Sequence, residues 1–226
     1  MNCPKCGSTD GTKDGIVKGK QRHKCKPCGY RHTVQQRGMG AAIKREALQL
    51  YLEGLGFRSI GRFLKCGHVA VYNRIKAHGE SIEPIRSAAG VEVVEMDEMH
   101  TYVGSQKNYC WIWIAVDRNG ERFLNCEVGP RDTDTGRKLW VSTKNNDMTD
   151  VMSDHWSPYE KFIPPALHTQ SKAETYTVEG YNSLFRHFLA RLRRKSKCYS
   201  KSKDMLKYSV MLLMLKRNGN LKAILN

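Results

Sequence analysis

Two kinds of residue in this chain could do chemistry: thiols near the N-terminus and carboxylates in the second half. Cys3-Pro-Lys-Cys6 and Cys25-Lys-Pro-Cys28 are Cys-x-x-Cys knuckles separated by 18 residues. Two tight turns at that spacing can bring four thiolates to one tetrahedral Zn²⁺. Cys3, Cys6, Cys25 and Cys28 are therefore the expected ligands of a single zinc. Four thiolates leave no open position, so its role is structural. Thirty-odd residues cannot build a core unaided, and the metal would supply the fold. The chain has eight cysteines and no apolar run after Met1 that reads as an export signal. That combination favours a reducing compartment and metal over disulfides. Cys66, Cys110, Cys126 and Cys198 lack such pairing and read as core or surface thiols.

The carboxylates lie in three places. Asp97 sits in "VEVVEMDEMHTYVG", between Glu95 and Glu98. Asp154 sits in "DMTDVMSDHWSPY", after Asp147 and Asp150. Glu179 stands near the head of "TVEGYNSLFRHFLARLRRKSK", with Glu174 just before. Eight basic residues follow Glu179 before the next acid, Asp204: Arg186, Arg191, Arg193, Arg194, Lys195, Lys197, Lys201 and Lys203. A solvated helix would mix signs to gain i,i+4 pairs. A lone acid ahead of a basic run suits another role. Three converging carboxylates can hold two divalent ions about 3.5–4 Å apart. One ion activates a water or a 3′-hydroxyl, and the other stabilises the leaving oxygen of a phosphodiester. Mg²⁺ suits oxygen ligands and keeps several waters, so few protein ligands suffice. The basic residues would then grip the phosphate backbone. Asn182 and Arg186 follow Glu179 by three and seven positions, on the same helical face, where they could support metal or phosphate. Spacing alone does not choose among the neighbouring acids.

The net charge agrees with a polyanionic partner. Lys and Arg number 38 against 22 Asp and Glu, a formal charge of +16. Nucleic acid is the commonest partner of so basic a chain. Hydrophobic residues make up 40%, enough for a folded core. The most apolar run, Val210 to Leu215, is too short to span a bilayer, so no membrane is expected.

The elements that must position these groups fall into three stretches. Residues 1–36 form the zinc ribbon, with Gly11, Gly15 and Gly19 suited to hairpin turns. Residues 38–80 have helical periodicity: a first helix through Tyr51 and Leu52, stopped by Gly54 and Gly56, then a short helix capped by Ser59. After Gly67 a third helix runs from about Val69 to Lys76 and exposes Tyr72, Asn73, Arg74 and Lys76. This is a helix-turn-helix pattern, whose last helix enters the major groove. Asn and Arg are residue types that read base edges. A linker with Ser81, Pro84 and Ser87 follows. Residues 90–226 then read strand, strand, strand, helix, strand, helix. Asn119-Gly120 joins the second and third strands as a hairpin. A helix covers about Thr133 to Ser142, and a short strand ends near Asp154. That is the order of a ribonuclease-H-like fold with a mixed sheet. The expected class is multidomain α+β: zinc ribbon, helix-turn-helix, then a ribonuclease-H-like α/β catalytic domain with basic C-terminal helices. Trp111 and Trp113 alternate with Ile112 and Ile114 and read as core. The stretch "DMLKYSVMLLMLKR" reads as a helix with an apolar face, packed on the catalytic domain or on a second copy.

The two knuckles, "MDEMHTYVG", "SDHWSPYEKFIP" and above all "VEGYNSLFRHFLARLRRKSKCYSKS" resemble the insertion-sequence-one family of transposases along essentially the whole chain. The resemblance implies that Asp97, Asp154 and Glu179 are the catalytic acids of an Asp-Asp-Glu domain. It implies support from Asn182 and Arg186 and a basic signature at Arg191, Arg193, Arg194 and Lys195. It further implies two catalytic Mg²⁺, replaceable by Mn²⁺, and a double-stranded DNA partner: terminal inverted repeats and target DNA. DNA ends would be cleaved and the 3′-hydroxyl strand transferred into target. Joining two ends needs a homodimer or higher oligomer, acting in a bacterial or archaeal cytoplasm at the nucleoid. His100 stands where an aromatic residue is expected, and His100 and His168 stay outside the ligand set. Two other classes remain open: a DNA-binding repressor that keeps ribbon and helices without cutting, and a ribonuclease-H-like nuclease that cuts without joining.

Overall fold

The computed structural model describes residues 2–33, 40–82 and 90–221. The end of the expected ribbon, and Pro84 and Ser87 of the expected linker, lie outside them. The chain forms two compact units, residues 1–39 and 40–226.

The first unit is a three-stranded antiparallel sheet of β1 (Gly11–Val17), β2 (Lys20–Cys25) and β3 (Arg31–Thr33), in that order. β1 and β2 join through a two-residue turn at Lys18 and Gly19, both with positive φ. Most side chains here are exposed, and the buried hydrophobic residues are Cys3 and Cys25. The unit has almost no apolar core, which leaves its stability to the thiols.

The second unit starts with three helices: α1 (Ala41–Leu52), α2 (Phe57–Phe63) and α3 (His68–Glu80). Ala47, Leu48, Tyr51, Leu52, Ile60, Val71 and Ile75 are buried and form the seam between them. Ser59 lies inside α2, and the cap is Gly56 in extended conformation. The third helix runs one turn beyond the expected Lys76. Gly79 lies against Tyr208, so close that a Cβ there would overlap the tyrosine side chain.

A five-stranded sheet follows, in the order β6-β5-β4-β7-β8. β4 (Val93–Tyr102), β5 (Tyr109–Asp117) and β6 (Arg122–Gly129) form an antiparallel meander. β7 (Asp150–Ser153) and the three-residue β8 (His168–Gln170) add in parallel. This mixed sheet has the strand order expected of a ribonuclease-H-like domain, and β8 extends it by a strand that the sequence pattern does not announce. The β5–β6 hairpin forms, but through four residues rather than two. Asp117 pairs with Arg122, and Asp117 Oδ1 accepts from Gly120 N at 2.9 Å. The Asp117 side chain thereby replaces a tight two-residue turn.

Helix α4 (Thr133–Thr143) starts at Asp132, whose Oδ1 accepts from Thr135 N. It covers one face of the sheet. Val94, Met96, Trp113, Ala115, Leu139, Trp140, Val151 and Tyr159 form the core there. Helix α5 (Tyr176–Phe188) lies on β4 and β5, and α6 (Lys203–Arg217) packs on β6 and on α3. Tyr51 Oη and Ser209 Oγ are 2.6 Å apart in buried surroundings. The apolar face of α6 is therefore spent inside this unit. Among the described residues, no helix is long and apolar enough to cross a membrane.

Candidate active site

Alternation along β4 sends its acids to different places. Glu98 shares the α4 face with Val94 and Met96; Glu95 and Asp97 point the other way, toward α5. Each neighbour of Asp97 has a fixed structural partner. Glu98 is 7% exposed; its Oε1 accepts from Arg131 at 2.6 Å and its Oε2 from Tyr159 Oη at 2.6 Å. Glu95 is fully buried; its Oε1 accepts from Arg118 Nε at 2.6 Å and its Oε2 from Val178 N at 2.8 Å. Asp97 has one side-chain donor among the described residues, Asn182 Nδ2, at 2.6 Å.

The parallel register between β4 and β7 pairs Val93 with Asp150 and Glu95 with Met152. Asp154 follows directly on the end of β7, and its charge acts on Asp97. Asp150 stands at the opposite end of the strand, near Thr169. Asp154 Oδ1 accepts from Trp156 N at 3.0 Å, and its Oδ2 lies 3.9 Å from Arg131. Glu179 is exposed in the first turn of α5. Burial, helped by the negative charges of Glu98, Asp154 and Glu179, pushes the Asp97 carboxyl up to about 7. The charges of both other expected acids thus reach Asp97.

The helix carrying Glu179 is held in place by residues that the sequence does not single out. Arg118 bonds Glu95 on one side and Glu174 on the other, through the Glu174 carboxylate at 2.8 Å and its carbonyl. Glu95 then accepts from Val178 N, next to Glu179. Arg118 and Glu95 together pin the first turn of α5 against β4. Glu174, the sequence rival of Glu179, is spent in this clamp. Arg131 is a second residue without a signal in the sequence. Its guanidinium lies 4.8 Å from both the Trp111 and Trp156 ring centres while it pairs with Glu98. Trp113 is core as expected, but Trp111 is half-exposed beneath Arg131.

Asn182 is 5% exposed, on the α5 face that carries Glu179. Arg186 lies one turn further, where burial and Arg194 lower its guanidinium and Asp97 opposes them. The basic signature lies beyond the helix, because α5 ends at Phe188. Arg193, Arg194 and Lys195 are exposed, whereas Arg191 is buried at 8% exposure. His100 packs edge-on to Tyr102 and tilted against Tyr109 and Trp111. His168 Nε2 lies 2.8 Å from Ser153 Oγ, which donates to the Asp154 carbonyl.

In α3 the expected outward face is displaced. Asn73 is exposed, but Tyr72 packs edge-on to Phe57, Arg74 is half-buried and Lys76 pairs with Glu80 at 3.3 Å. The exposed residues of α3 are His68, Val69, Ala70, Asn73, Ala77 and Glu80. The pattern slips because α3 must also pack on α6, and Ile75, His78 and Gly79 are buried along its length.

The four knuckle cysteines bring their sulfur atoms within 4.8 Å of one another. Cys3–Cys28 and Cys6–Cys25 are each 3.6 Å apart. Tetrahedral zinc with ~2.3 Å bonds separates its sulfurs by about 3.8 Å, so the site fits one zinc. The two knuckles repeat one geometry. Gly7 N donates to the Cys3 carbonyl and Gly29 N to the Cys25 carbonyl, both at 2.9 Å. Gly7 and Gly29 have φ of 75° and 69°, which only glycine adopts without cost.

A family model described as IS1 transposase matches residues 91–217. The insertion element IS1 4 protein InsB of Escherichia coli (strain K12) is 36% identical over 111 residues, 49% of this chain and 66% of that protein. The iso-IS1n protein InsB of Shigella dysenteriae is 30% identical over 113 residues, 50% of this chain and 86% of that protein. The insertion element IS1 protein InsB of Shigella flexneri is 34% identical over 111 residues, 49% of this chain and 85% of that protein. The matched stretch spans just under two thirds of the first relative's own length. The family match takes in β4 through α6 and covers more than half of the residues: the chain belongs to the IS1 transposase family.

Proposed function

We propose that the chain is a DNA transposase of the Asp-Asp-Glu type, with Asp97, Asp154 and Glu179 as the acids that hold two Mg²⁺. The observation that supports this reading is that the charges of Asp154 and Glu179 both act on the half-buried Asp97 carboxyl. The residues suit a divalent cation. The charges of Asp154 and Glu179 both act on Asp97, which is pushed up to about 7, and a bound cation would relieve it. When bound, the two ions supply an activated hydroxyl and a stabilised leaving oxygen.

The protein's own residues orient that chemistry. Asn182 donates to Asp97 Oδ2 and leaves Oδ1 free to ligate. A fixed outer partner of this kind aligns a metal-binding carboxylate. The Glu95–Arg118 clamp fixes the first turn of α5, which carries Glu179. Arg186, one turn further, and exposed Arg193, Arg194 and Lys195 take the phosphates flanking the scissile bond. Asn73 and its neighbours on α3 enter the DNA groove, and the zinc on the four knuckle thiolates holds the N-terminal sheet. In this reading two copies of the chain, each bound to one terminal repeat, bring the ends together.

The test is strand transfer on labelled element-end DNA with Mg²⁺ or Mn²⁺. Joined product should form with the native protein and vanish in Asp97→Ala, Asp154→Ala and Glu179→Ala. DNA binding without nicking by the native chain would identify a repressor instead. Nicking without joining would identify a nuclease.

A further inference from the structure

Arg191 is not explained by a role on the DNA backbone. It lies in a 3-10 turn at Ala190–Leu192, is 8% exposed and forms no ion pair among the described residues. Its Nη1 donates to Ser200 Oγ at 2.9 Å and to the Met205 carbonyl at 3.4 Å. The guanidinium lies 5.2 Å from the Phe57 ring centre and 5.5 Å from that of Tyr51. Its Nε is buried and has no acceptor among the described residues. Arginine keeps its charge at any pH a protein meets. A buried charge with an unused donor and no carboxylate is costly unless something supplies the missing anion.

Arg191 lines a cavity of about 910 Å³. One wall comes from the α1–α2 turn, α2 and the start of α3. The other comes from the stretch between Ala190 and Met205. Arg58, Arg193 and Lys201 also line it, and among the described residues no Asp or Glu does. Helix α6 begins at this wall, with Ser202 as its cap. Tyr72 and Tyr199 supply aromatic surface.

The size decides what can enter. The volume is that of a pocket for a small molecule, and a duplex is far too wide for it. A phosphate on the outside of a duplex cannot reach a side chain buried in this way. A single nucleotide can. Its phosphate meets a positive field and its base meets aromatic walls, the usual pairing in single-strand binding.

We infer that this cavity takes a nucleotide of a DNA strand that has left the duplex, its phosphate on Arg191 and its base against Tyr72 and Tyr199. The inference rests on the reading of the chain as a DNA-processing protein. The segment after α5 thereby gains a second role, holding an unpaired strand between the helix-turn-helix and the carboxylates.

The test compares two DNAs by fluorescence anisotropy on the full-length, zinc-loaded chain without Mg²⁺, so that cleavage plays no part. One is a blunt duplex; the other is the same duplex with a short unpaired 3′ tail. The native chain should bind the tailed DNA about tenfold more tightly, in line with stacking and contact of one or two bases. Arg191→Lys should lose that preference, because lysine cannot replace the guanidinium between the rings. Lys201→Glu, an exposed position where folding is not at stake, should lose it as well. Equal binding of both DNAs by the native chain would overturn the inference and leave the transposase reading intact. So would a preference that survives in both variants. A chain that binds neither DNA would defeat both readings. Free thymidine 5′-monophosphate, titrated against intrinsic fluorescence, separates the sources. Its binding to the native chain, with no preference for the tailed DNA, would make the ligand a free nucleotide and overturn the strand proposal.

Discussion

Glu95 and Val178, 83 positions apart, are joined by a hydrogen bond of 2.8 Å from the Val178 amide to a fully buried carboxylate. The same carboxylate takes Arg118 on its other oxygen. One residue thus satisfies an orphan amide at the N-terminus of α5 and holds the guanidinium that ties down Glu174. Glu95→Ala leaves Arg118 without its inner partner and the amide without an acceptor. The expected loss is about 3–5 kcal/mol, the range for breaking a buried pair. Chemical denaturation of the native and substituted chains measures it. Strand transfer should fall along with it, because Glu179 loses its anchored turn. A stability change within about 0.5 kcal/mol would mean that α5 is held by its packing alone.

Asn182 and Asp97 make the second relationship. Asn182→Asp puts another carboxylate 2.6 Å from Asp97 in place of a donor. It should cost about 10–100-fold in divalent-ion affinity, the usual effect of losing an outer partner of a metal ligand. Mn²⁺ binding followed by electron paramagnetic resonance gives the number directly. Asn182→Ala should fall between the two, since it removes the donor without adding charge.

The zinc knuckles make a prediction of their own. Chelation should unfold the sheet of residues 11–33 and leave the second unit folded, because the first unit has almost no apolar core. Limited proteolysis with and without chelator should show a stable C-terminal fragment. Cys25→Ser should behave like chelation. Retained β-structure in the metal-free N-terminal unit would rule out zinc as its main support.

Gly79 marks where α3 meets α6. A Cβ there would overlap the Cβ and Cγ of Tyr208, atoms near the backbone that cannot swing away. Gly79→Ala should destabilise the second unit by about 1–3 kcal/mol, the range for overpacking. Thermal unfolding would report it. Gly79→Ala with Tyr208→Ala should recover part of the loss, a coupling that a double-mutant cycle isolates.

His78 supplies the pH dependence. It is 4% exposed with an unpartnered Nε2, and burial lowers its imidazole to about 4, helped by the charges of Arg74 and Lys44. The unfolded chain takes up a proton near 6.5 and the folded chain only near 4. Below about 6.5 the unfolded state therefore binds more protons, and stability falls as pH drops toward 4. The effect is on the order of 1–3 kcal/mol and is complete below about 4. His78→Gln should flatten that slope. Asp97 acts in the opposite sense, because its raised carboxyl favours the folded state as pH falls from about 7 to about 4. The difference between the native chain and His78→Gln isolates the histidine.

Features that depend on short-range spacing are legible along the chain. Two Cys-x-x-Cys knuckles mark a site that could hold one zinc because each closes within its own turn. The order of strands and helices follows from apolar periodicity and turn residues, and it implies the mixed sheet. Long-range order is less legible. Nothing near Glu95 in the sequence marks it as the anchor of α5, because its partners Arg118 and Val178 are brought to it only by the sheet and the helix crossing above it. Glu95, Asp97 and Glu98 are near-neighbours of similar chemistry, and only strand alternation and packing give two of them structural partners. Arg191 reads as one cation among eight, and tertiary burial alone sets it apart. The exposed face of α3 is hidden for the same reason: an isolated helix has one core side, and this one packs on α6 as well as on α1 and α2. Local chemistry is written in residue spacing. Which acid stays free, and which cation loses its water, depends on what the rest of the chain folds against it.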